Sequence, residues 1–212
     1  MKLCVRLFCL AAALVLVANG PASATVPVVF GTTWDGPGTT LQEIMDAAYG
    51  VGAVNCGTDY IGAHPGDPDP FYWTGTGFST LLVREIAGNR DTNALGWYLE
   101  TGAQPTIDGI DDGIVFAGPM SDGATAIINL SSGNVPFGFF MNPNGNGGAT
   151  NAPEPEKFFT NRRWNDIGPD GSGALHVPLD GDVQAIVFDV SRFRGPHTWC
   201  VCFEDLDSGA NP

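Results

Sequence analysis

From Ser79 onward, short runs of alternating apolar and polar residues are cut by clusters of Gly, Pro, Asn and Asp, leaving no stretch long enough for an ordinary helix. The strand-like runs are 79–86, 95–100, 113–117, 124–130, 135–141, 174–178, 183–190 and 198–204. Turn-rich stretches at 89–93, 119–123, 131–134 and 180–182 separate them at roughly the 8–12-residue spacing of antiparallel sandwiches. In residues 183–190 the period of two is clear: Ala185, Val187 and Asp189 share one face, and Ile186, Phe188 and Val190 share the other. With 29 Gly and 16 Pro, helices are interrupted almost everywhere. One survives: Thr39 or Thr40 can cap a helix through Tyr49 with Glu43 completing a capping box, Leu41, Ile44, Met45 and Ala48 line one face, and Gly50 and Gly52 end it. The pattern predicts an all-β chain, a two-sheet antiparallel β-sandwich of jelly-roll or lectin type with one short N-terminal helix. Two long polar loops, 57–70 and 142–155, interrupt it.

The first 24 residues read as a secretory signal peptide. Lys2 and Arg6 form a basic start, residues 7–18 are apolar, and Ala22-Ser23-Ala24 supplies a small-residue cleavage site ahead of Thr25. The apolar run is shorter than the ~20 residues that span a bilayer, and no later run is longer, so no membrane insertion of the mature chain is expected. Residues 25–212 then form a single β-sandwich domain. Losing Lys2 and Arg6 takes the formal charge from −14 to −16. So acidic a chain is a poor partner for nucleic acid or an anionic membrane surface, both of which need basic residues. Most of the acids are Asp, and many of these sit beside Gly, Asn or Pro, which places the charge in turns.

Three cysteines remain after cleavage, Cys56, Cys200 and Cys202. The last two sit two apart on a strand and face the same way, a poor geometry for a mutual disulfide. In an oxidising compartment one of them could pair with Cys56. No Cys-x-x-Cys or neighbouring His supports zinc.

Catalytic signatures are missing. There is no Gly-x-Ser-x-Gly, no His-Glu-x-x-His and no glycine-rich phosphate loop, so no catalytic residue is assigned. His64, His176 and His197 read as structural or exposed. With so many carboxylates, some Asp/Glu pair will lie at a glycosidase-like separation by accident, which leaves an extracellular hydrolase as the weakest reading. Two features bear on binding. The strand ending at Phe203 runs into an acidic turn in which Glu204, Asp205 and Asp207 are hard oxygen donors suited to Ca²⁺, although the same residues make ordinary polar turns. Asp111 and Asp112, with Asp108, form a second acidic cluster without EF-hand spacing, a candidate calcium site or a solvated turn. A carbohydrate-binding module is the reading from another class, with Phe71, Tyr72 and Trp73 as an aromatic platform, whereas Trp97 and Trp199 sit in strands and read as core.

Several segments together resemble the secreted bacterial domain-of-unknown-function family 4114. They are Phe30-Gly31 with Trp34-Asp35-Gly36-Pro37, Leu41-Gln42 with Asp46, Leu95-Gly96-Trp97-Tyr98, Phe137-Gly138-Phe139-Phe140, residues 184–189 and residues 199–205. Members of that family often carry an exosortase sorting tail. The resemblance implies an exported domain with no established catalytic activity; a cell-surface or matrix domain is expected, with a surface polysaccharide or another copy of the domain as candidate partner. In the family, Phe203-Glu204-Asp205-Leu206 would be followed by a further acidic segment and a last strand. The expectation is therefore a domain lacking its last strand, with a calcium site short of ligands and a sheet edge prone to intermolecular pairing.

Overall fold

The computed structural model describes residues 40–68, 71–85, 92–130, 134–142, 157–165 and 184–203. It is an all-β sandwich with short helices. In chain order the elements are α1 (Leu41–Tyr49), β1 (Trp73–Gly75), β2 (Gly77–Leu81), β3 (Ala94–Leu99), β4 (Asp112–Phe116), β5 (Thr125–Asn129), β6 (Val135–Asn142), β7 (Phe158–Phe159), a 3-10 turn (Arg162–Asn165), β8 (Ala185–Asp189), the one-turn helix α2 (Ser191–Arg194) and β9 (Trp199–Phe203).

The helix starts as its sequence dictates. Thr40 Oγ1 accepts from Glu43 N–H at 3.0 Å and Glu43 Oε2 accepts from Thr40 N–H at 3.0 Å, so two of the orphan donors of the first turn are satisfied reciprocally. It ends at Gly50, whose φ of +106° is open to glycine and strained for other residues. Gln42 fastens the segment after the helix: its side chain donates to Val54 O at 2.7 Å and accepts from Cys56 N–H at 3.0 Å.

The main sheet has the order β1-β6-β3-β4, and β7 adds to β6 beyond β1. All pairings are antiparallel. Its register pairs large rings with glycines: Gly96 lies opposite Phe140, Tyr98 opposite Gly138, and Trp97 opposite Gly113. These glycines are there for space. A Cβ at Gly96 would fall 2.2 Å from Phe140 Cζ, one at Gly138 2.6 Å from Tyr98 Oη, and one at Gly113 2.8 Å from Trp97 Nε1.

Alternation divides the sheet into two faces. Leu99, Phe137 and Phe139, with Trp73 and Leu130, pack against Val187, Trp199, Val201 and Phe203 of the two-stranded β8–β9 ribbon and against Phe78 and Ile128 of the β2–β5 ribbon. On the opposite face Tyr98 and Phe140 join Ile107, Phe159 and Trp164. The β8–β9 ribbon has its own second face, where Ile186, Phe188, Val190, Cys200 and Cys202 meet Met45, Leu41 and Tyr49 of α1 together with Val54, Cys56 and Tyr60. The expected two-face division of residues 183–190 is observed for Val187 on one face and Ile186, Phe188 and Val190 on the other. It makes β8 a middle layer, with the main sheet on one side and the helix on the other.

Segment 57–68, expected as a polar loop, is packed in part. Tyr60 is buried and bridges Phe188, and Ile61 N–H donates to Val187 O at 2.8 Å. The loop 143–155, the strand-like run 174–178, the signal segment and the residues after Phe203 lie outside the described residues.

Candidate functional site

Among the described residues, five aspartates are engaged in building loops. Asp46 Oδ1 accepts from Gly52 N–H at 3.0 Å, Asp59 Oδ2 from Asn55 N–H at 3.0 Å, and Asp67 Oδ2 from Gly62 and His64 N–H at 3.2 and 3.1 Å. Asp122 accepts from Glu85 N–H at 2.9 Å and meets Arg84 at 3.3 Å, and Asp189 accepts from Ser191 N–H at 2.8 Å. Asp46, Asp59, Asp67 and Asp189 take up amides of their own turns, whereas Asp122 joins its turn to the segment after β2.

The same rule governs the candidate calcium residues that are described. Asp112 begins β4 and is buried, and its Oδ2 accepts from both Asp108 and Gly109 N–H at 2.9 Å. Its Oδ1 is buried without a hydrogen-bond partner. Asp111 is exposed and uses its backbone carbonyl, which accepts from Leu99 N–H at 2.8 Å. Among the described residues no three His, Cys, Asp or Glu side chains gather into a metal-binding group. Glu204, Asp205 and Asp207 lie outside the described residues.

The aromatic platform is corrected by burial. Trp73 is 6% exposed, stacked near Phe137 at 6.2 Å and edge-on to Phe139 at 4.9 Å, so its indole face belongs to the core and cannot carry a sugar ring. Phe71 covers its edge at 5.1 Å, and Tyr72 takes a hydrogen bond from Asn161. The segment reads as a loop in sequence because β1 is three residues long and its partner, β6, lies far along the chain. Trp97 and Trp199 pack against the core, as expected.

A buried polar node lies elsewhere, at residues that carried no functional expectation. Glu100 follows β3 on the Tyr98 face of the sheet. Its Oε2 accepts from Trp164 Nε1–H at 3.0 Å and Asn161 Nδ2–H at 3.3 Å, and its Oε1 accepts from Gly102 N–H at 2.8 Å. Asn165 clamps β7, accepting from Phe159 N–H at 2.7 Å and donating to Phe159 O at 3.0 Å. Burial, and next the Glu100 carboxylate, push the Tyr98 hydroxyl far above its ordinary range. The node ties segment 157–165 to the sheet through donors directed at one carboxyl group. The only signal for it in the sequence is Asn161, Trp164 and Asn165 within a stretch that reads as turns.

The three cysteines are free thiols. Cys56 is buried, and burial, followed by the charge of Asp46, pushes its thiol up to about 11. His64 is largely exposed beside Asp67, and His197 sits in a turn at φ +59°.

Two loop carboxylates predict a pH response. The Asn55 amide holds Asp59 below the usual 3.8, and the Ser191 hydroxyl and amide do the same for Asp189. A lowered folded pKa gives stability that is complete above the unfolded value and lost as pH falls through the folded one. The urea midpoint should therefore hold from neutral pH to about pH 5 and decline below about pH 4. Asp59→Asn and Asp189→Asn should each flatten that decline, the effect being modest because both groups are largely exposed.

No protein-family model matches the chain, and no curated protein or solved structure matches it.

Proposed function

We propose that this chain is an exported, non-enzymatic domain that works at the cell surface or in an extracellular matrix, stabilised by calcium at the acidic turn after β9. The observation that carries the reading is the use of the described acids. Asp59, Asp67, Asp112, Asp122 and Asp189 cap turns and cross-link loops with oxygens turned toward backbone amides, a use that supports a structural role. The leader features of residues 1–24 support export. Glu204, Asp205 and Asp207 provide hard oxygens directly after the last described strand, and a chain this acidic gains from a bound divalent cation. The resemblance to the secreted bacterial family 4114 also supports export, and the partner proposed is a surface polysaccharide or a second copy of the domain. No described helix is long and apolar enough to cross a membrane.

Expressed from Met1 in a bacterial host, the protein is expected outside the cytoplasm with Thr25 as its first residue, read by N-terminal sequencing. A cytoplasmic product that keeps residues 1–24 would overturn export.

A further inference from the structure

The face of β9 that looks onto α1 is rich in sulfur. Cys200 Sγ lies 3.8 Å from Cys202 Sγ and 3.8 Å from Met45 Sδ. The two cysteines share a strand face because they are two residues apart, and Met45 is the helix position that is 1% exposed. A disulfide needs sulfurs at about 2.0 Å and converging Cβ vectors, whereas side chains two apart on one strand run parallel. The fold thus holds two thiols and a thioether in contact without a covalent bond among them.

We infer that Cys200, Cys202 and Met45 form a binding site for one soft monovalent metal ion of the Cu(I) class. Thiolate and thioether sulfur are the ligands that select Cu(I), while oxygen-seeking cations pass them over. Spacing agrees. Three sulfurs around a metal at a thiolate distance of about 2.3 Å, spread in a plane, sit about 4 Å from one another, close to the two observed contacts. Zinc is a worse occupant, since it takes four N, S or O ligands in a tetrahedron and no trio of His, Cys, Asp or Glu is present among the described residues.

The surroundings suit a soft ion held away from water. Val54, Tyr60, Phe188 and Val190 form the buried wall of this cluster, with Leu41 and Tyr49 packed on it. A thiol binds such an ion as its thiolate, so binding releases protons and weakens as pH falls. Cys56 belongs to the same core cluster, but among the described residues no three His, Cys, Asp or Glu side chains gather, so it does not join Cys200 and Cys202 as a ligand.

The test uses the full mature chain, reduced and without oxygen, titrated against the Cu(I) complex of bathocuproine disulfonate. The wild type should withdraw one Cu(I) per chain, and X-ray absorption should report a shell of sulfur alone. Met45→Leu, close to isosteric, should keep the fold by circular dichroism yet weaken retention by about tenfold or more, as expected when one of three soft ligands is lost. Cys200→Ser should abolish withdrawal, and Cys56→Ser should leave it unchanged. The inference is overturned if the folded, reduced wild type withdraws no Cu(I), if Met45→Leu retains the ion as tightly as wild type, or if Cys56→Ser abolishes binding. Should Cys200→Ser fail to fold, the comparison of Met45→Leu with Cys56→Ser decides alone.

Discussion

Phe140→Ala should lower the free energy of unfolding by about 3–5 kcal/mol, measured by urea denaturation. Phe140 is completely buried, contacts Phe159 across β6 and β7, and fills the space that Gly96 leaves on the neighbouring strand. Truncation opens a cavity between two strands whose backbones are fixed by their ladder, so little collapse can relieve it. The converse change, Gly96→Ala, should also destabilise, by about 1–3 kcal/mol, because the added methyl meets Phe140 and the Gly113 carbonyl at 2.8 Å. The two effects should not add. With the ring gone the methyl keeps only its clash with Gly113 O, so the double variant should be more stable than the sum of the singles by about 1 kcal/mol. Additivity would mean that the ring and the glycine do not share one space.

The second large effect concerns Glu100. Replacing it with Ala removes the acceptor for the Trp164 indole, the Asn161 amide and the Gly102 N–H at once, in a place that is 9% exposed. A buried donor left without an acceptor costs about 1–3 kcal/mol, so a total of about 3–5 kcal/mol is expected. Glu100→Gln keeps the shape and one acceptor oxygen but turns an amide N–H₂ toward other donors, and should cost about 1–3 kcal/mol. The chain has five tryptophans, so the Trp164 contribution to fluorescence is taken as the difference from a Trp164→Phe reference, and it reports the node. Its emission should shift to longer wavelength in Glu100→Ala before global unfolding. A variant with wild-type stability and unchanged emission would show that segment 157–165 is held by its apolar contacts alone.

Local chemistry makes some of this fold readable in advance and long-range pairing hides the rest. The capping box of Thr40 and Glu43 and the glycine stop at Gly50 act within one helix, and the alternation of 185–190 belongs to one strand, so both are legible. The glycines of Leu95-Gly96-Trp97-Tyr98 and Phe137-Gly138-Phe139-Phe140 mark those segments, but their role as sockets for rings on a neighbouring strand needs the register. Trp73 looks available in sequence because β1 is too short to show a period, and its burial comes from strands β6 and β9 far along the chain. Glu100 and Trp164 lie 64 residues apart, with nothing in either neighbourhood to announce the other. Asp112 looks like a metal ligand because turn-capping and calcium coordination draw on the same oxygen, and only its two amide partners reveal the first use.

Calcium is the most direct test of the functional account. Thermal unfolding of the mature chain would be followed in EDTA, in about 10 mM Mg²⁺ and in about 10 mM Ca²⁺. For a site with a dissociation constant of about 10⁻⁴ M, as extracellular calcium modules have, binding adds about 2.7 kcal/mol and raises the midpoint by about 5–10 °C. The account predicts that rise with Ca²⁺, a much smaller one with Mg²⁺, and loss of the difference in the double variant Asp205→Asn, Asp207→Asn. Equal shifts with both ions, or a calcium shift that survives the double substitution, would contradict it.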